Sequence, residues 1–130
     1  MTITISDKSP DSGALSVELA EILDEVGDEA RASNWTVREV EAVGDGAQEL
    51  IDAEDAGTPI DGERLKKLAQ NVIQIIDGEF RGFRTQESKP WIIIKAVDST
   101  SWDIASDVTS VLDRFRKKYS SVYEAGDQPW

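Results

Sequence analysis

The sequence predicts an α+β fold in which helices and an antiparallel sheet occupy separate stretches of chain. Three observations predict it. Apolar residues recur at three- and four-residue spacing through the first 76 positions, aromatic and β-branched runs broken by turn residues fill 77–106, and a last helical stripe follows Asp107. The expected arrangement is two or three N-terminal amphipathic helices on a small antiparallel sheet, with strands at about 79–85, 91–98 and 101–105 and a closing helix at about 107–119. One domain over 1–130 is expected, with an acidic helical part at 12–76 and the sheet plus closing helix at 77–125.

Residues 1–11 alternate Ile and Thr and then turn polar, which suits either a flexible terminus or a short edge strand. From Ser12, the residues Leu15, Leu19, Ile22, Leu23, Val26 and Ala30 fall on one helical face, with carboxylates on the others. Thr36 precedes Val37, Val40, Val43, Ala47, Leu50 and Ile51. With Glu39 it forms a Thr-x-x-Glu capping box, so a second helix is expected to about Ala53, kinked or broken at Gly44-Asp45-Gly46. A loop over 53–63 leads to a third stripe, Leu65, Leu68, Ala69, Val72 and Ile76, whose tail VIQII could instead begin a strand. The segments EFRGFR, WIIIKAV and WDIAS read as a three-stranded meander, with Trp102 and Ile104 on one face. Asp107 then caps a helix that buries Val108, Val111, Leu112, Phe115 and Tyr119 and ends in Arg114, Arg116, Lys117 and Lys118, favourable for the helix dipole. Eight of the nine aromatic residues follow position 63, which places the expected packing centre in 64–130.

Composition narrows the chemistry. The 130 residues carry 26 Asp and Glu against 14 Lys and Arg, no His and no Cys, for a net charge of −12. Thiol nucleophiles, disulfides, zinc ribbons and the commonest general base are thereby excluded. The acidic excess is not uniform. Residues 1–63 hold 17 acidic and 3 basic side chains, a net of −14, whereas 64–130 hold 9 acidic and 11 basic, a net of +2. Direct nucleic-acid binding is disfavoured because carboxylates repel phosphate. No window approaches the about 18 apolar residues of a membrane span, and the N-terminus does not read as a signal peptide, so a cytoplasmic location without membrane contact is expected.

Motif by motif, the sequence argues against catalysis and cofactors. An EF-hand count from Asp52 finds Glu54, Gly57 and Glu63 in register. Ala56 stands where an oxygen ligand is needed, however, and Pro59 and Ile60 disturb the rest, so no metal is expected. The Asp98-Ser99-Thr100-Ser101-Trp102-Asp103 stretch has Trp102 in place of the last hydroxyl of a metal-dependent adhesion motif, and it reads as a turn between strands. Gly44-x-Gly46 lacks the rest of a phosphate loop.

Three functional readings remain. The first is a protein-interaction module of the immunity, antitoxin or inhibitor kind, whose carboxylates neutralise a basic partner such as a nuclease-type toxin. Its partner-facing residues are expected to be Glu18, Glu21, Asp24, Glu25, Asp28 and Glu29 on the first helix, and Glu49, Asp52, Glu54 and Asp55 at the end of the second. The second is haloadaptation, in which acidity serves hydration alone. The third is a small ligand-binding domain or enzyme using the carboxylates near Asp98–Asp103. The basic second half could also dock on the acidic first half, within the chain or between copies in a homo-oligomer.

Overall fold

A computed structural model of the chain describes residues 1–126; Asp127 to Trp130 lie outside the described residues. Among the described residues, seven strands form one antiparallel sheet, and five helices accompany it. In chain order the elements are β1 (Thr2–Ile5), α1 (Leu19–Val26), α2 (Asp28–Ala32), β2 (Asn34–Gly44), α3 (Ala47–Ala56) and β3 (Ile60–Asp61). Then follow α4 (Gly62–Gln70), β4 (Val72–Phe83), β5 (Ile92–Val97), β6 (Ser101–Ser106), α5 (Thr109–Lys118) and β7 (Val122–Glu124). Across the sheet the strands run β3-β2-β4-β5-β6-β1-β7.

The α+β class and the β4-β5-β6 meander agree with the sequence reading, but among the described residues four short helices precede residue 77 where two or three were expected, the sheet has seven strands, and α5 is followed by β7 and does not close the chain. Thr36–Gly44 belongs to strand β2, not to a second helix, and helix starts only at Ala47, after the turn at Asp45-Gly46. The predicted capping box does not form: Glu39 sits in the left-handed region at φ 52°. The physical reason is a β-bulge between Arg38 and Glu41 in the pairing with β4. Before it, Trp35 and Val37 are buried; after it, Val40 and Ala42 pack against the core, and Val43 is exposed. One extra residue turns a period of two into a local step of three, which imitates a helix in sequence.

The other boundaries shift for local reasons. The first helix starts at Leu19, because Ser9 to Ser16 form turns closed by Ser9 N–H to Ala14 O and Ser16 N–H to Asp7 O, both 2.9 Å or shorter. It breaks at Gly27, whose φ of 89° is poorly open to other residues, so α2 leaves at a new angle. Helix α4 ends at Gln70, and the VIQII tail opens β4. The expected strand at 79–85 is the second half of that longer strand, which ends at Phe83. Residues 2–5 are an inner strand between β6 and β7, neither a flexible tail nor an edge. Asp107 does not cap α5; Ser106 Oγ accepts the Val108 N–H at 3.0 Å instead.

The core is shared by both halves of the chain. Ile3, Ile5, Trp35, Phe80, Ile92, Ile94, Trp102 and Ile104 line one sheet face, and Leu19, Ile22, Leu50, Leu65, Leu112 and Phe115 come down on it from the helices. Apolar burial on this scale is the main driving force of the fold, at roughly 25 cal/mol per Å² removed from water. Three indole N–H groups, each 2.9 Å from its acceptor, fix the layers: Trp35 donates to Ala30 O, Trp91 to Ser33 Oγ and Trp102 to Val17 O. Gly82 lies opposite Trp35, and a Cβ there would press into the indole at about 3 Å, so glycine permits this large ring to lie across β4. The opposite sheet face carries a cross-strand row of Arg38, Glu79, Lys95, Asp103 and Thr4. Thr4 Oγ1 donates to Asp103 at 2.6 Å, and Arg81 forks onto Glu79, so charge on this face alternates in sign.

Candidate functional site

Three carboxylates of α1 and α2 face cations that the fold brings from distant parts of the chain. Lys66 Nζ lies 2.7 Å from Asp24 and Lys118 Nζ 3.4 Å from Glu25. Arg84 forks onto Glu29 with two contacts of 3.3 Å, and Arg31 pairs with Asp28. Arg114 Nη1 donates to the Glu25 and Val26 carbonyls, closing the C-terminus of α1. Tyr119 Oη donates to Glu21 at 2.6 Å. Burial first, and then this carboxylate, push the phenol's pKa well above its usual range. Of the six residues expected to face a partner from the first helix, only Glu18 lacks a side-chain bond or ion pair among the described residues.

The second acidic region is built differently. Residues 39–55 contain Glu39, Glu41, Asp45, Glu49, Asp52, Glu54 and Asp55 and no Lys or Arg. Strand β3 pairs only with Asn34 and Trp35, so the outer side of β2 beyond them carries no strand, and α3 runs back alongside it. Glu54 joins the two, accepting the Glu39 N–H at 2.7 Å and the Val40 N–H at 2.9 Å, the donors that the bulge turns away from β4. Glu54 is thus a structural cap rather than a partner-facing residue. Asp52 accepts from the Gln48 amide at 2.9 Å, and Asp55 has no side-chain partner among the described residues.

Among the described residues, one cation is ion-paired to a carboxylate of this region. Arg64 Nε donates to Glu49 Oε2 at 2.7 Å, with a second contact to the other carboxylate oxygen. That hydrogen bond holds the Glu49 carboxyl below the usual carboxylate range and raises Arg64 further. Glu39, Glu41 and Asp45 make no side-chain ion pair among the described residues. Glu39 and Glu41 line a depression of about 200 Å³ with Asp77, Glu79 and Lys95. A second depression, of about 350 Å³, lies between α3 and the β3–α4 junction; Ala53, Ala56, Pro59 and Ile60 are in its lining with Glu49, Asp52, Asp61 and Arg64.

The stretches weighed for other chemistry have structural employment. Asp98 and Ser99, at φ 48° and 58°, are the two central residues of the β5–β6 hairpin turn, closed by Thr100 N–H to Val97 O at 2.9 Å. Asp103 accepts from Thr4, and Gly57 is the left-handed C-cap of α3 rather than the bend of a calcium loop. Trp91 and Trp102 are buried. An apolar recess of about 210 Å³ beside Leu15, Val72 and Trp102 is smaller than the roughly 300–1,000 Å³ of most small-molecule sites. Among the described residues, no group of carboxylates is arranged to hold a metal ion, and no helix is long and apolar enough to cross a membrane.

The sequence reading named Glu49, Asp52, Glu54 and Asp55 but not Glu39, Glu41, Asp45 and Asp61, which lie in or beside the same acidic region. A signal for the first three was present: seventeen consecutive residues, 39–55, with seven carboxylates and no cation. Compared with known proteins, the chain matches no protein-family model, no curated protein and no solved structure.

Proposed function

We propose that this protein is an acidic interaction module that neutralises a basic protein partner, in the manner of an immunity protein, antitoxin or inhibitor, and meets that partner in the cytoplasm. The contact surface is the outer half of β2 with α3 and the start of α4, rather than α1. One observation carries the reading: among the described residues, Asp24, Glu25 and Glu29 of α1–α2 meet cations from elsewhere in the chain, Asp28 meets Arg31 and Glu21 meets the Tyr119 hydroxyl, whereas in residues 39–55 only Glu49 has an ion pair. An uncompensated acidic face steers association with a cationic surface and raises the on-rate, and it needs no catalytic group.

Haloadaptation would spread acidity over the whole surface, and the balanced rows on the open sheet face and around α1 speak against it.

The test is affinity capture from the source organism's lysate, followed by association kinetics with the captured protein at low and high salt. The expected partner is basic. Reversing Glu41, Asp52 and Asp55 to Lys together slows its association about tenfold at low salt, and reversing Asp24, Asp28 and Glu29 changes it far less. A captured partner whose association ignores both salt and the first triple variant would refute the reading.

A further inference from the structure

We propose that the groove between α3 and the β3–α4 junction receives a segment of the basic partner in which one apolar side chain lies between two cationic ones. The inference rests on the proposed function and adds to it the place and chemistry of contact.

The groove combines two features that bare acidity does not. Part of its lining is apolar, made by Ala53 and Ala56 on α3 and by Pro59 and Ile60 on the connection into α4. The same lining holds Glu49, Asp52 and Asp61, three carboxylates against the single guanidinium of Arg64. A free metal ion gains nothing from the apolar part, and a phosphate is repelled by the carboxylates. An apolar side chain flanked by Lys or Arg satisfies both, because the chain is removed from water while the cations meet the carboxylates.

The walls are set before anything binds. Gly57 closes α3 with its N–H toward the Ala53 and Glu54 carbonyls, and Thr58 N–H also reaches the Ala53 carbonyl at 3.1 Å. Pro59 restricts the next backbone angle, and Asp61 Oδ1 accepts the Arg64 N–H at 2.9 Å to start α4. A fixed groove spares a ligand the entropy of ordering it. Arg64, clamped on Glu49 at its edge, is the group an incoming cation would displace.

The experiment titrates the ¹⁵N-labelled full chain with three amidated peptides, Gly-Ser-Gly-Arg-Leu-Arg-Gly-Ser-Gly and its Arg-Ser-Arg and Glu-Leu-Glu counterparts, up to millimolar concentration. The Arg-Leu-Arg peptide should shift amides of 52–61 and bind about tenfold more tightly than Arg-Ser-Arg, the expected return for burying one leucine. Ala56→Trp, placed at an exposed position to fill the groove, should remove that advantage, and Asp52→Lys should weaken both cationic peptides. Equal binding of the two cationic peptides, with shifts spread over residues 39–55, would overturn the groove and leave the basic-partner reading standing. If neither cationic peptide shifted any amide, or if Glu-Leu-Glu bound equally well, both readings would fall.

Discussion

The two acidic regions of this protein have similar charge in sequence and opposite roles in the fold. Around α1 and α2, carboxylates from residues 21–29 meet Lys66, Arg84 and Lys118, which lie at least 42 positions away, so the charge is internal bracing. Among the described residues, in 39–55 it is met by one ion pair, Arg64 on Glu49. Acidity alone therefore says little about a binding surface. What distinguishes the two regions is whether the tertiary structure delivers a cation to each carboxylate, and a surface left unmatched is the one able to recruit charge from outside.

The largest expected effect tests whether that contrast holds between neighbours. Glu54 and Asp55 adjoin in sequence, yet Glu54 fastens α3 to the bulge in β2. Glu54→Ala should cost about 2 kcal/mol by leaving two backbone donors without their carboxylate, and Asp55→Ala should stay within about 0.5 kcal/mol, as read from denaturant midpoints. Equal losses would mean that Glu54 is ordinary surface.

Next in size is the contact that ties α5 to α1. Tyr119→Phe should lose about 1 kcal/mol with the Glu21 hydrogen bond. The sign of its pH dependence follows from a phenol whose pKa is raised in the folded state: its stabilising effect is present below the unfolded value of about 10 and is lost as pH rises above it. The Phe variant should thus unfold less steeply between neutral and strongly alkaline pH, and parallel alkaline melts for the two proteins would contradict the bond.

A smaller effect separates the regions by salt. Asp24→Lys breaks a partly exposed pair and should destabilise by up to about 1 kcal/mol, less in high salt. Asp55→Lys relieves like-charge repulsion and should be neutral or slightly stabilising, most visibly in low salt. The same sign of change for both, in thermal melts over a salt series, would erase the distinction. The smallest effect is at Glu49, whose lowered pKa means that its contribution is present above the unfolded carboxylate value and fades as pH falls through the folded one. Carbon-detected NMR titration of Arg64→Gln should move the Glu49 carboxyl back up; an unmoved titration would show that Arg64 does not engage it in solution.

Legibility in the sequence followed the locality of the forces. Helix α5, strands β5 and β6 and the Asp98-Ser99 turn between them were readable because their periodicity and turn residues lie within a few positions. Strand β2 was not, because its bulge placed Val37 and Val40 three apart, and the register with β4 that makes sense of the spacing involves residues 72–83. Strand β1 looked like an edge because its partners, β6 and β7, lie about a hundred residues on. At the candidate site, the carboxylates themselves were legible and their partners were not. Asp24 and Asp52 are indistinguishable as letters, and only the docking of α4 on α1 separates them.

The sequence by itself determined the α+β class, the absence of His and Cys chemistry, and the concentration of negative charge before residue 64, since these depend on composition and short-range pattern. The tertiary structure decided which acids remain unmatched, because ion pairing is set by a few ångströms of side-chain separation that a chain reaches only after distant segments pack. It also decided that β2 is a bulged strand instead of a helix, because burying Trp35 and Val37 over β4 outweighs the modest intrinsic preference of the intervening residues.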